Sequence, residues 1–547
     1  MLNPQSRTTN ALELIDGTIT EYYELIDSAL KPSEVNPARY NTTTSPSYQN
    51  QCPCLQGSFT TVDIGCADPY VVLLEKSFIT PTVEFDIAPD TVHTCAGETP
   101  DVNPQVYFVG WKRSLDVAYR YDILYNGREI TSQTYNGEES FVIQSIMKDD
   151  VREKRPNQLT SYKNASTFNR DVCGTYFLLS NTNKPTRIII PVKITLADFP
   201  LFAQFCYLQG WMGNWSIRLF PDSRNLVTCQ VDPDYTVGNK KAILGASGTY
   251  TSDSYTHEFV QIGDTFKGIT GYTTDSNPKI TISNVKFTVT NYQFRSCEIN
   301  LTTQMMYRPI YDQIMAKYMS KPLQIPFLKF VFGRFSQAMK NTQMNSVFSG
   351  VIKCCESMFL IPFIDDNHHT VCKNPGFKQL YANIGSYGNY PQNPVDTIPN
   401  GSNPASYIRF VNMTNDALGL EYSPIISMNE SLSNSLHGAC VPYVKNNDGK
   451  SSNNALIVKT DATDFLVGFP FADEADFQGG LTTQGNINIT VYASEAKFAG
   501  PEGTGEFDPN KLAIGPTAIF MCDHVVMIRP SPNGAPAEVV ICTDKIR

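Results

Sequence analysis

Charge is what this chain has least of. Charged side chains make up 18% of its 547 residues, against the ~25% of an ordinary soluble domain, so Asn, Thr, Ser and Gln must carry much of the polar surface. Basic excess is absent too: 43 Lys and Arg stand against 53 Asp and Glu, a formal net charge of −10. That balance excludes a general attraction to nucleic acid or anionic lipid, and no sequence-specific nucleic-acid binding is expected. Long apolar runs are missing. The best candidates are short pieces such as Met358–Ile364, far below the ~18 residues of a membrane span, so none is expected. The opening residues Met1–Arg7 hold no apolar signal-peptide core, which predicts a chain made and kept in a reducing compartment until it leaves by lysis or assembly.

Catalytic signatures are lacking as well. No Gly-x-Ser-x-Gly elbow and no His-Glu-x-x-His helix occurs, which removes the best-marked hydrolase and zinc-protease chemistries. Gly449, Lys450 and Ser451 end like a phosphate-binding loop, but its first glycine is replaced by Val444, so the backbone has no turn to wrap a phosphate. Gly500–Gly505 has too few spaced glycines for a dinucleotide loop and reads as a turn. His368, His369 and Cys372, beside Asp365 and Asp366, are the most ligand-rich short stretch; adjacent histidines in extended chain point to opposite faces and serve one ion poorly. Cys52 with Cys54, and Cys354 with Cys355, have no second pair at finger spacing,. Lys148–Arg155 mixes both signs and reads as a solvated helix end,. No catalytic, cofactor-binding or metal-binding residue is assigned, and neither an enzyme nor a cofactor is expected.

What the chain does have is material for cores. It is 41% hydrophobic and 11% aromatic, and its length exceeds the ~250–300 residues at which one core stops growing, so two large domains are expected. A repeat marks them. Phe199 and Pro200, followed by Gly213, Asn214 and the run Trp215–Phe220, are echoed by Phe469 and Pro470, then Gly485, Asn486 and Ile487–Tyr492. A single repetition some 270 residues on is domain-sized, unlike the ~20–50-residue period of solenoids. Strand alternation puts Trp215, Ile217 and Leu219 on one face, and Ile487, Ile489 and Val491 on the matching face of the second copy. The fourteen cysteines sit mostly in apolar segments, as at Cys173, Cys206 and Cys522, and read as buried free thiols.

Residues 1–58 read as an N-terminal arm, with short amphipathic helices stopped at Lys31 and Pro32 and then a Thr/Ser/Pro/Gln stretch,. Strand signals fill 59–300: Tyr70–Leu74, Val83–Ile87, Val106–Trp111, Ile188–Ile194 and Val285–Val289,. Asn126 and Gly127 predict a type I′ hairpin between Tyr119 and Ile130. Short helices are expected at 139–155 and 197–209, and a long polar loop at 222–258. The helical spacing of Tyr311–Met319 before Lys321 and Pro322 makes 301–322 a connector. Strand signals resume in 323–547, at Leu323–Phe332, Ser357–Ile361, Phe465–Phe469, Ile487–Val491 and Ala518–Ile528, around an Asn/Pro/Gly/Tyr-rich loop at 373–407,.

Two β modules of this size with polar inserted loops resemble the double jelly-roll major capsid proteins, the family of adenovirus hexons and of the capsid proteins of virophages, large DNA viruses and Polinton/Maverick elements. The resemblance is carried by Val109–Ile130 with its Asn-Gly turn, by Pro200–Phe220 with its copy at 470–492, and by the closing Thr517–Ile528. It implies an all-β fold of two consecutive eight-stranded jelly-roll β-sandwiches with short helices and an N-terminal arm, divided as 1–58, 59–300, 301–322 and 323–547. It also implies a structural major capsid protein, nearest to the Polinton/Maverick and virophage type. Homotrimers would form pseudo-hexameric capsomers of an icosahedral shell assembled inside the host cell, with penton and minor capsid proteins as further partners. The rival class is a tandem jelly-roll glycan-binding module or surface adhesin. A jelly-roll glycoside hydrolase would need two carboxylates ~5–9.5 Å apart in a cleft.

Overall fold

Alternation of apolar and polar side chains is the rule by which the long strands form. In Phe78–Pro89 the odd-numbered Ile79, Val83, Phe85 and Ile87 are buried and the even-numbered residues between them half-exposed; each such burial contributes about 1.5–3 kcal/mol. The computed structural model of the chain describes residues 39–45, 52–65, 68–90, 94–96, 106–111, 113–134, 161–163, 171–179, 184–205, 207–230, 236–237, 240–241, 260–273, 279–306, 308–335, 344–350, 352–361, 377–385, 388–397, 404–418, 466–471, 480–482, 487–493, 495–496, 517–531 and 537–542.

Eight strands frame the first roll, with the short strands Tyr70–Leu73, Ile194–Thr195 and Tyr207–Gln209 added to its first sheet. The eight are β1 in two pieces (Arg39–Ser45 and Cys54–Leu55), β2 (Thr60–Ile64), β3 (Phe78–Pro89), β4 (Ala118–Tyr125), β5 (Arg128–Thr134), β6 (Thr186–Pro191), β7 (Trp215–Pro221) and β8 (Phe287–Met305). Hydrogen bonding orders them β1-β8-β3-β6 in one sheet and β2-β7-β4-β5 in the other. The second half repeats the plan with β9 (Leu323–Arg334), β10 (Met344–Gly350), β11 (Cys355–Ile361), β12 (Leu380–Ile384), β13 (Asn389–Val395), β14 (Val467–Pro470), β15 (Ile487–Ala493) and β16 (Thr517–Arg529). Their orders are β9-β16-β11-β14 and β10-β15-β12-β13. Numbered within each half, both sheets read 1-8-3-6 and 2-7-4-5, which is the eight-stranded jelly roll. A last strand, β17 (Glu538–Cys542), extends the second roll's first sheet beside β16.

The connections of the first roll make a sheet of their own. Val106–Trp111, between β3 and β4, pairs with Asp171–Leu178, between β5 and β6, and with Val227–Gln230, between β7 and β8. Tyr107, Trp111 and Phe177 of this cap are buried on the roll's core. At the opposite end helix α1 (Pro200–Phe205) packs against β9 of the second roll, and α2 (Arg308–Ser320) joins the rolls. Trp211 stacks on Tyr318 of α2 with ring centroids 6.2 Å apart. Tyr311 of α2 accepts a hydrogen bond from the Trp211 backbone at 3.0 Å and donates to Asp68. Tyr125, at the end of β4, donates its hydroxyl to the carbonyl of Ala537 beside β17.

The type I′ turn stands where expected: Asn126 has φ +46° and Gly127 φ +77° between paired Tyr125 and Arg128. Five expectations change. Strand pairing begins inside the span read as an arm, because Arg39–Ser45 and Cys54–Leu55 line β8, and β8 itself runs to Met305, past the expected start of the connector at 301. The stretch 373–407 is not one loop: it holds β12, β13 and the start of α3 (Pro404–Ala417). Leu380, Ala382 and Ile384 alternate into the core, while Pro391 and Pro394 are tolerated because β13 is an edge strand,. The polar loop expected at 222–258 contains the buried strand Val227–Gln230. Finally, Phe199 and Pro200 lead into α1, whereas Phe469 and Pro470 end strand β14; only the later part of the repeat, the two seventh strands, is structurally equivalent. The helix expected at 139–155 lies outside the described residues.

Candidate assembly surface

Most of the polar motifs singled out from sequence lie outside the described residues: Gly449–Ser451, His368, His369, Cys372, Gly500–Gly505 and Lys148–Arg155. Among the described residues no group of three or more His, Cys, Asp or Glu is arranged to hold a metal ion. Cys52, Cys54, Cys173, Cys229, Cys297, Cys354, Cys355 and Cys522 are free thiols, and all of these but Cys52 are buried. Burial, with a smaller effect from the Asp116 charge, pushes the Cys173 thiol up to about 12, so it stays protonated and unreactive at neutral pH. Burial likewise raises Cys355, whose thiol lies beside that of Cys522 across the β11–β16 ladder.

The surface that stands out is the outer face of β1-β8-β3-β6. One cross-strand row runs over all four strands: Leu55 pairs with Gln293, Gln293 with Glu84, and Glu84 with Ile189. Its two ends are apolar and open, Leu55 being 59% and Ile189 44% exposed. Between them lies an ion-pair lattice. Arg187 reaches Glu84 at 3.4 Å and Asp86 at 3.0 Å, and Arg295 reaches Glu84 at 4.0 Å. The Arg187 guanidinium, helped by the Asn291 amide at 2.8 Å, holds the Asp86 carboxyl below the usual carboxylate range. Exposed pairs of this kind add little stability; they fix where the charged heads sit.

In the second roll the equivalent sheet is covered. All seven residues of β11 and all four of β14 are buried. Helix α3 lies over β14, with the Gly468 backbone N–H donating to Thr414 Oγ1 at 3.2 Å, and α1 of the first roll lies against β9. Sequence reasoning passed over the open face of the first roll, yet a signal existed. In Ile188–Ile190 three isoleucines follow one another, and since neighbouring side chains in a strand point to opposite faces, one had to point outward. Tyr176, Phe177 and Leu178 repeat the sign in the cap sheet: Phe177 is buried, while Tyr176 and Leu178 are 49% and 55% exposed.

A second surface feature is a ladder of rings and guanidiniums on the first roll's other sheet. Arg218 lies over Phe59, Arg120 over Phe220 and Arg224 over Tyr119, each 5.0 Å from the ring centroid. It has the parts of a nucleic-acid platform, but two of its cations are already spent within the chain. Arg120 pairs with buried Asp122 at 2.7 Å, and Arg224 with Asp222 at 3.1 Å. The ladder is therefore a closure of the sandwich end, in keeping with the acidic charge of the whole.

No family model matches the chain, and no curated protein matches it. Among solved structures it is similar to the mavirus major capsid protein, with a TM-score of 0.46 and 10% identity over 94% of this chain and 93% of that one. It is similar to a chain in the structure of the Sputnik virophage, with a TM-score of 0.46 and 11% identity over 92% and 88%. It is also similar to the Faustovirus major capsid protein, with a TM-score of 0.42 and 10% identity over 96% and 100%.

Proposed function

We propose that the chain is a structural major capsid protein whose homotrimers form pseudo-hexameric capsomers of an icosahedral shell. The observation that carries this reading is the strand order 1-8-3-6 and 2-7-4-5 occurring twice in one chain, in rolls joined by α2 and by the Trp211–Tyr318 stack. Three such chains place six similar rolls around one axis, and a closed three-fold ring ends growth within the capsomer. The first roll's cap sheet, built from three separate connections, is the displayed end; α1, α2 and the Tyr125–Ala537 contact form the opposite end. Penton and minor capsid proteins are the further partners, and assembly takes place inside the host cell before lysis. The division into arm, first roll, connector and second roll belongs to the same reading, with the first roll's pairing carried to residues 39 and 305.

Light scattering of the purified protein is the test. The expected particle is near three times 61.0 kDa, seen in negative stain as a near-hexagonal tile. Monomer alone across micromolar concentrations overturns the capsid reading.

A further inference from the structure

We infer that Cys355 and Cys522 form a modification site, at which an oxidant of the peroxide class closes a disulfide that clasps β11 to β16. The first ground is the geometry of the pair. The two residues are direct partners across the antiparallel ladder. Both backbone groups of Cys355 are taken on its other side: its N–H donates to the Leu481 carbonyl at 2.9 Å, and its carbonyl accepts from the Leu481 N–H at 2.7 Å. The neighbouring bond of the ladder runs from the Asp523 N–H to the Cys354 carbonyl at 3.0 Å. Cys355 and Cys522 are therefore a non-hydrogen-bonded pair, the kind whose Cα atoms stand ~4.5 Å apart with both side chains on one face. A disulfide spans Cα separations of about 4.4–6.8 Å, so the two strands already stand at bridging distance.

The second ground is the thiols themselves. Both residues are buried in the second roll, and the two thiols are in hydrogen-bond contact. Their other contacts are weak: the Cys355 thiol donates to the Ser357 carbonyl at 3.2 Å and the Cys522 thiol to that of Phe520 at 3.8 Å, so a disulfide gives up little. The sulfur of Cys354 is engaged elsewhere, 4.0 Å from Thr482 Oγ1. In the reaction one sulfur loses its proton and attacks a peroxide oxygen; the O–O bond breaks, a sulfenic acid forms and water leaves. The second sulfur displaces the sulfenic hydroxyl, which forms the S–S bond and a second water. Two electrons pass from the thiols to the peroxide. Burial holds the Cys355 thiol well above its ordinary range, and only a thiolate attacks, so closure is slow. The pair stays reduced in a reducing compartment and closes over long exposure to an oxidising one. The closed loop runs from β11 to β16 and holds most of the second roll, and constraining so long a loop in the unfolded chain stabilises the folded one.

Purified full-length protein, reduced and then held with hydrogen peroxide, is the test. After free thiols are capped with N-ethylmaleimide in denaturant, tryptic digestion without reductant should yield the peptide of Cys355 joined to that of Cys522, lighter by two hydrogens than the two thiol peptides together. Cys354 and Cys372 share a tryptic peptide with Cys355, so the link should persist in the double variant Cys354→Ser/Cys372→Ser and vanish in Cys355→Ser. Oxidised wild type should unfold at a higher denaturant midpoint than reduced wild type, and dithiothreitol should reverse the rise; Cys355→Ser should show none. Recovery of Cys355 and Cys522 as capped thiols, in protein whose half-buried Cys52 has been oxidised, overturns the inference. So does a link that survives in Cys355→Ser, or a linked wild type whose midpoint is unchanged or lowered. Should Cys355→Ser fail to fold, the peptide map of the double variant and the wild-type midpoints decide between these outcomes.

Discussion

Ile217 and Ile489 occupy one place in two strands. Ile217 on β7 lies between Val62 and Ile123; Ile489 on β15 lies between Phe348 and Ile384. Both are fully buried, as are Trp215, Leu219 and Val491 to within 1%. Alternation alone predicted this inward face, because the polar Ser216, Arg218 and Thr490 fall between. Truncating either isoleucine to Ala should cost about 2–5 kcal/mol, read as a fall in the denaturant midpoint, and Asp at either place should abolish soluble protein by burying an unpaired carboxylate. Ser216→Ala should stay within about 0.5 kcal/mol of wild type. Comparable losses at Ser216 and Ile217 would show that the strand is not oriented as described. The Phe-Pro landmarks fared differently: the same dipeptide opens a helix at Pro200 and closes a strand at Pro470, since two residues carry too little pattern to choose between them.

Strand β14 shows how an element is decided by its neighbour. Val467–Pro470 is a four-residue sheet edge that would be open without α3. The fit depends on Gly468, where an added Cβ would lie 2.5 Å from Cβ of Ala417 and 3.2 Å from the Thr414 backbone. Gly468→Val should therefore destabilise by about 1–3 kcal/mol through overpacking and speed proteolysis within 404–417, while Gly65→Ala, whose added Cβ meets only Asn214 at 3.6 Å, should be tolerated. Wild-type protease resistance of α3 in Gly468→Val would refute this packing. The helical period of α2 and the alternation of β3, β9 and β15 were legible beforehand. Strands β12 and β13 were not, because Asn, Pro and Gly suppress strand signals unless the pairing partner is known.

At the scale of the molecule, the two rolls share contacts that neither could make alone. Tyr125 of the first roll reaches across more than four hundred residues of chain to Ala537 of the second, while Trp211, 8% exposed, stacks on Tyr318, 1% exposed, and holds the joining helix α2 to the first roll. Calorimetry of the wild type should show one cooperative transition. Replacing Trp211 and Tyr318 together by Ala should split it into two, one for each roll, because coupled units separate when the interface between them weakens. Two resolved transitions in the wild type would mean that the rolls fold independently.

By itself the sequence determined that the chain is β-rich and acidic, that Asn126 and Gly127 turn a hairpin, and that a strand near residue 215 has a counterpart near 487. These are local facts, written in side-chain period, turn chemistry and composition. Tertiary structure alone decided that the first strand of the first roll lies within residues 39–55, that three distant connections weave one cap sheet, and that equivalent sheets differ, one covered by α3 and α1 and the other left open with Leu55 and Ile189 exposed. The reason is physical. Alternation says which side chains share a face, but whether that face meets water, a helix or another sheet depends on strands hundreds of residues away.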